Sequence, residues 1–275
     1  MITTMWNPWH GCHKCSPGCL NCYVYYLDSK YSKDSNIITK SKSAFHLPLK
    51  RDRQGNFKIP SNTILVTCFT SDFFIEEADE WRVEAWDIIK QRSDLQFLIP
   101  TKRIHRFSYY IPNDWTDSYD NITIAVSCEN QQKADERLPI LMSLPIKHKQ
   151  VFVSPLLEYV DLSKYLLAGQ IELVSVGGES YDNARTCDFD WVKQIKKDCD
   201  IYQVSFQFHQ TGSNFMKDGK RYHIPHSKEH DQAKKATAFL WAILWWLFLI
   251  RKSDSNNLTF LLKIAFIKNT IYNEN

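Results

Sequence analysis

An α/β fold is what this sequence predicts: a partial or open parallel (β/α) barrel of about six strands, TIM-barrel-like, with an irregular cysteine-rich loop at its N-terminal end. Three observations predict it. Between residues 63 and 209, short apolar runs alternate with amphipathic stretches. Several of those runs are continuous rather than alternating, as in parallel strands covered on both faces. Each run also stops at a group of polar residues, and strand–helix–strand repetition of this kind points to a parallel sheet.

The strands are expected at Ile64–Phe69, Leu95–Pro100, Ile122–Ser127, Gln150–Ser154, Glu172–Val176 and Val204–Phe208. A helix is expected from Glu77 to Arg92, because Trp81, Ala85, Ile88 and Ile89 recur at spacings of three and four. Gln131–Met142 and Asp188–Cys199 read as helices too, the second with Asp188 as N-cap and Trp191, Val192 and Ile195 on one stripe. The polar segment Lys30–Pro60, with Lys50, Arg51 and Arg53, reads either as a connection over the barrel mouth or as a solvated surface loop. Residues 1–235 therefore form the barrel with its cysteine loop, and 236–275 an atypical tail. In that tail Ala236–Ile250 is a fifteen-residue apolar run, and Leu258–Ile267 a second one broken by Lys263. A spanning helix needs roughly 17 to 25 such residues. Membrane association of the tail is thus the weaker reading beside a packed or irregular end.

Composition, at 44% hydrophobic and 24% charged, is that of a soluble globular chain. A net charge of +3 on 275 residues is nearly neutral, so any nucleic-acid footprint has to be local. The eight cysteines do not look like a disulfide framework. The chain is long, its opening residues carry no basic or apolar leader pattern, and four of the eight cysteines crowd into eleven residues. A reducing cytoplasm is the expected compartment.

The crowded segment runs from Trp6 to Tyr23 and contains C-x2-C-x3-C-x2-C at Cys12, Cys15, Cys19 and Cys22. Pro17-Gly18 supplies a turn that lets the thiols converge. Thiolates suit zinc or iron–sulfur clusters. A structural zinc site usually draws its two Cys pairs from more distant places than the three residues that separate them here. The spacing of Cys15, Cys19 and Cys22 matches a three-thiolate loop for a four-iron cluster, in which one iron is left to take a substrate or cofactor. Zinc stays as the alternative, with His10 and His13 as further candidate ligands, although loop histidines are commonly just exposed. Cys68, Cys128, Cys187 and Cys199 read as buried structural thiols, and Arg103-Ile104-His105-Arg106 as a run able to touch nucleic acid.

The segment resembles the opening motif of the phage-associated three-Cys-motif family, a domain of unknown function that is itself similar to radical S-adenosylmethionine enzymes. The resemblance spans residues 5 to about 232 and includes Thr70-Ser71-Asp72-Phe73-Phe74, Thr101-Lys102-Arg103, Ser127-Cys128-Glu129-Asn130, Gly177-Gly178-Glu179-Ser180 and Gln210-Thr211-Gly212. It implies Cys12, Cys19 and Cys22 as ligands, since an aliphatic residue usually stands at the place of Cys15; radical S-adenosylmethionine enzymes instead favour the spacing of Cys15, Cys19 and Cys22. It further implies an iron–sulfur-dependent enzyme that uses S-adenosylmethionine, of phage or mobile-element type. A partner protein of the three-Cys-motif partner type is implied as well.

The C-terminal ends of barrel strands form the active face in such folds, and the polar groups ending each run make a common mouth. Asp72, Glu129 and Glu179 are candidates for the ammonium of S-adenosylmethionine, and Lys102 and Arg103 for its carboxylate or a phosphate. Glu179 is expected to stand unpaired and hydrated until a cation arrives, with Gly177-Gly178 letting backbone approach a ligand. The alternative function is a zinc- or cluster-stabilised nucleic-acid-binding protein without catalysis. No residue can be assigned to proton or group transfer, and no nucleotide fingerprint narrows the substrate.

Overall fold

The computed structural model describes residues 2–115 and 119–238. Apart from its first three residues, the apolar run expected at Ala236–Ile250 lies outside the described residues, as does Leu258–Ile267. In chain order the elements are β1 (Thr3–Trp6), β2 (Trp9–His10), α1 (Tyr23–Ser29), β3 (Thr39–Lys40), β4 (Ile64–Thr67), α2 (Asp79–Gln91), β5 (Gln96–Thr101), β6 (Ile122–Ser127) and α3 (Gln131–Ser143). There follow β7 (His148–Val153), α4 (Ser163–Leu166), β8 (Ile171–Gly177), β9 (Cys187–Asp188), α5 (Phe189–Ile201), β10 (Ser205–Gln210), β11 (Asn214–Lys217) and β12 (Lys220–His223).

Seven strands form one curled parallel sheet in the order β1-β4-β5-β6-β7-β8-β10, which is also their order along the chain. β1 and β10 are its two edges, so the curl is a half-barrel rather than a closed one. The expected six strands are present, and the seventh is β1. Its one buried residue, Trp6, follows exposed Thr3, Thr4 and Met5, a pattern too short and too polar to read as a strand. β1 pairs with β4 from Thr3↔Ile64 to Trp6↔Thr67.

The runs that looked continuous are not buried alike on both faces. Leu65, Phe97, Ile99, Ile122, Ile124, Val126, Val151 and Val153 are fully buried. Val66, Leu98, Thr123 and Phe152, which alternate with them, are only half-buried. One face of the sheet is therefore closed, and the other is partly open. The closed layer includes Ala85, Trp86, Ile88 and Ile89 of α2, Ala134, Leu138 and Leu141 of α3, and Val192 and Ile195 of α5. Asp188 caps α5, its side chain accepting from Asp190 N. A helical stretch over 229–238 carries the chain past residue 235 and buries Ala233 and Ala236. Among the described residues no helix is long and apolar enough to cross a membrane.

The polar segment between α1 and β4 does not lie over the mouth as a whole. Only its first part does, where Cys12 N donates to Ser35 O at 2.8 Å. The rest descends beside α2, with Lys40 and His46 both on Glu84, to the N-terminal ends of the strands. There Arg92, fully buried, stacks on Phe57 at 4.0 Å and donates to the carbonyls of Pro48 and Ile59 and to Asp94. A buried guanidinium with all three of its nitrogens bonded is stable only as a set, because removing it strands the acceptors. Arg92→Ala should lower the unfolding free energy by about 3 kcal/mol in urea titration. It should also open the 41–60 segment to proteolysis, and an unchanged midpoint would show that the segment holds itself.

Candidate metal and cofactor site at the cysteine loop

The cysteine loop leaves the C-terminal end of β1 and is tied down by the ends of four other strands. Beyond β4, Gly11 N donates to Thr70 O at 3.1 Å, Ser71 Oγ donates to Gly11 O, and Tyr23 OH donates to Phe69 O. Beyond β5, Arg103 donates to His13 O at 2.8 Å and to Cys12 Sγ at 3.6 Å. Beyond β6, Glu129 Oε1 accepts from Gly18 N at 3.1 Å. Beyond β8, Glu179 Oε2 accepts from Asn21 Nδ2 at 3.0 Å, and Arg185 donates to Pro17 O at 2.9 Å.

The residues expected at a common mouth are thus brought together, but the three carboxylates already have partners. Asp72 accepts from Phe74 N, Thr101 Oγ1 and Lys102 N, and lies 3.4 Å from Arg103. Glu129, fully buried, is paired with Arg137 at 2.8 Å. Arg137 and Lys102 together outweigh the desolvation that would raise its pKa, and the net direction is down. Glu179 departs from the expectation of an unpaired, hydrated carboxylate. It is 6% exposed and accepts from Asn21, from Arg185 N at 2.8 Å and from the Arg185 guanidinium. Those bonds overcome desolvation and hold its pKa low. The physical reason is that a carboxylate buried this deeply needs a counter-charge within the fold.

The glycines before Glu179 also serve the chain itself. A Cβ on Gly178 would come within 2.2 Å of Thr211 O, and one on Gly177 within 2.3 Å of His209 Nε2. His209 is held between Ser175 Oγ at 2.9 Å and Ser154 Oγ at 3.4 Å. Desolvation pushes its pKa down to about 4, so the ring is neutral.

What remains open toward the thiols is cationic. Lys102 Nζ makes one long hydrogen bond, 3.5 Å to Ser127 Oγ. Desolvation alone would lower its pKa, but the charges of Cys19, Glu129 and Cys22 keep it raised. Cys19 accepts from Cys15 and Ser16 and faces Lys102; the Cys15 hydrogen bond is the largest cause of a pKa lowered to about 4. Cys15, the donor of that bond, is shifted upward. Cys12 is raised to about 11 by desolvation and by Asp72, against the opposing pull of Arg103.

All eight cysteines are free, with Cys68, Cys128, Cys187 and Cys199 buried as expected. His10 and His13 turn to Asp28 and Glu77 instead of the thiols. Among the described residues no three His, Cys, Asp or Glu side chains are arranged to hold a single metal ion. Four free thiols on one anchored loop, beside Lys102 and Arg103, are a donor set whose chemistry suits a thiolate-bound metal or cluster.

The chain belongs to DUF5131, a family of proteins of unknown function. The family model matches residues 1–244, so the match takes in the cysteine loop, every strand end that anchors it and the 229–238 helical stretch. No curated protein and no solved structure matches the sequence.

Sequence reasoning missed Arg137, Arg185 and Asn21, and gave His209 little weight. Arg137 sits in the apolar stripe of α3 and reads as a surface charge. Arg185 and Asn21 lie in irregular segments whose partners are far along the chain, and His209 is one polar residue in an edge strand. Conversely, Arg103 and Arg106, expected to be available to nucleic acid, are turned inward onto Cys12, His13, Phe74 and Asp79.

Two measurements follow from this geometry. Glu179→Gln should destabilise the protein by about 2 kcal/mol and expose the cysteine loop to protease, because it leaves Arg185 without its counter-charge. An unchanged denaturation midpoint would return Glu179 to the role of a ligand-binding carboxylate. His209 should make stability depend on acid. Its folded pKa of about 4 lies below the ordinary 6.5, so below pH 6.5 the unfolded chain takes up a proton that the folded ring refuses. That contribution is fully present above pH 6.5 and is lost as pH falls toward 4; His209→Gln should remove it from the pH–stability curve.

Proposed function

We propose that this chain is an iron–sulfur-dependent, radical S-adenosylmethionine-like enzyme of phage or mobile-element type, with Cys12, Cys19 and Cys22 as cluster ligands and Cys15 as the alternative third. The observation that carries this reading is where the loop lies. It leaves the first strand of an open parallel half-barrel and is bonded to the C-terminal ends of four others, where such folds do their chemistry.

A bound cluster would supply single electrons, and S-adenosylmethionine the bond that an electron cleaves. The chain's own contribution is binding and orientation. Arg103, positioned by Asp72, offsets thiolate charge at Cys12. Lys102, with its single long hydrogen bond, is the best-placed group to take a cofactor carboxylate. Asp72, Glu129 and Glu179 are already bonded within the fold, so they fit loop anchoring better than contact with the cofactor's ammonium. The half-buried face of the sheet offers Ser127, Ser154, Ser175 and neutral His209 as hydrogen-bonding groups beneath the thiols. We place the enzyme in the cytoplasm, where thiols stay reduced, with a partner of the three-Cys-motif partner type.

The second reading, a zinc- or cluster-stabilised nucleic-acid-binding protein, is favoured by the number of bonds that make the loop part of the fold. The two readings separate on colour and product. Protein purified without oxygen should absorb broadly near ~400 nm, which zinc cannot produce, and should release 5′-deoxyadenosine from S-adenosylmethionine on reduction. Cys19→Ala and Cys22→Ala should abolish the absorption, Cys12→Ala should remove most of it, and Cys15→Ala should leave most of it. Loss in Cys15→Ala with retention in Cys12→Ala would exchange the third ligand, and a colourless protein containing zinc would establish the second reading.

A further inference from the structure

Beyond β10 the chain adds a small sheet, β12-β11-β9, with β12 at its edge. All four residues of β12, Lys220, Arg221, Tyr222 and His223, are exposed, Tyr222 by 43%. None of their side chains makes a hydrogen bond or ion pair among the described residues. This is unlike Arg82, Arg92, Arg103, Arg106, Arg137 and Arg185, each of which is committed to carbonyls or carboxylates of the fold.

The hairpin also stands on the rim that carries the cysteine loop. Ser213 N, just before β11, donates to Glu179 O at 2.7 Å, on the residue whose carboxylate holds Asn21. Three residues past β12, exposed His226 packs on Tyr181 at 4.4 Å, and Tyr181 stacks on Tyr26 at 4.5 Å. Tyr26 belongs to α1, whose N-cap is Cys22. A ladder of rings therefore connects the exit of the basic strand to the end of the cysteine loop, with Lys30 over its last ring at 4.2 Å.

We propose that β12 and the His226 end of this ladder form a docking surface for a single-stranded nucleic acid. Lys220 and Arg221 take phosphates, and Tyr222 and His226 take the faces of bases. The charge complementarity and the interleaved rings argue for this partner, since cations that track a backbone and aromatic platforms for bases are what unpaired strands require. Charge on an edge strand also guards against edge-to-edge pairing. That would account for Lys220 alone, but not for a ring path leading to the thiols. The surface stands independently of the proposed cluster chemistry.

Fluorescence anisotropy of the full chain with labelled oligo-dT and oligo-U of about 20 nucleotides, between about 50 and 200 mM salt, tests the surface. Affinity should fall with salt. Combining Lys220→Glu with Arg221→Glu should weaken binding at least ten-fold and flatten the log–log salt slope by about 1.4, at about 0.7 per phosphate contact. Tyr222→Ala should weaken binding about five-fold without changing the slope. Lys147→Glu with Lys164→Glu, outside both the hairpin and the ring ladder, should leave both quantities unchanged.

Absence of binding to either oligonucleotide at low salt, or an equal loss in the Lys147/Lys164 control, overturns the proposal and leaves β12 a solvated edge. Equal competition by polyglutamate, with no effect of Tyr222→Ala, would assign the surface to an acidic protein instead. Repeating the titration on Cys19→Ala separates the two ideas: binding retained while the absorption is lost would keep the surface and remove the cluster from it.

Discussion

A carboxylate removed from water has to be paired, and at this rim that pairing is what gives the cysteine loop its shape. Glu129 and Glu179 each place one partner within the fold, Arg137 and Arg185, and one on the loop, Gly18 N and Asn21. Asp72 does the same less directly, through Arg103 to Cys12 and His13. Trp6 and Trp9 root the segment in the core, but from Gly11 to Cys22 it has little apolar surface of its own to bury. Its order is drawn from these charges, and so is the relative position of the thiols. Neutralising one carboxylate would therefore act at the cysteines from the far side of the rim.

How much of this was legible in the sequence depends on what burial does to composition. The middle strands of the sheet could be read because full burial of one face selects Val, Ile, Leu and Phe. The rim could be read because those runs stop at Asp72, Lys102, Glu129 and Glu179. β1 could not, since an edge strand of four residues with one inward side chain leaves no period to detect. Nor could the state of the carboxylates. Glu179 looked free because Arg185 lies six residues on in an irregular turn, and because Gly177-Gly178 has the look of a ligand-binding backbone. Both glycines turned out to admit the chain's own His209 and Thr211. Pairing is a property of three-dimensional neighbours, and neither spacing nor composition carries it.

With the acids engaged, the thiols face Lys102 and Arg103. Two fixed positive charges pull toward the thiolate, at Cys12 against a desolvation that still holds the thiol up, and they favour any added negative charge near the sulfurs. A cationic ligand meets the opposite field. That preference comes from the fold.

The bonds that anchor the loop join residues far apart along the chain: Gly18 to Glu129, Asn21 to Glu179, and Pro17 to Arg185, separations of 111, 158 and 168 residues. Contacts of such long range form late in folding, after the loop-closure entropy has been overcome. On a ribosome adding about 5 to 20 residues each second, the four thiols are made on the order of 10 s before their last anchors exist. During that interval they are unprotected, free to meet oxidants or scavenged metal. Slow translation between Tyr23 and Arg185 would lengthen that exposure of the thiols even when the finished fold is unaltered.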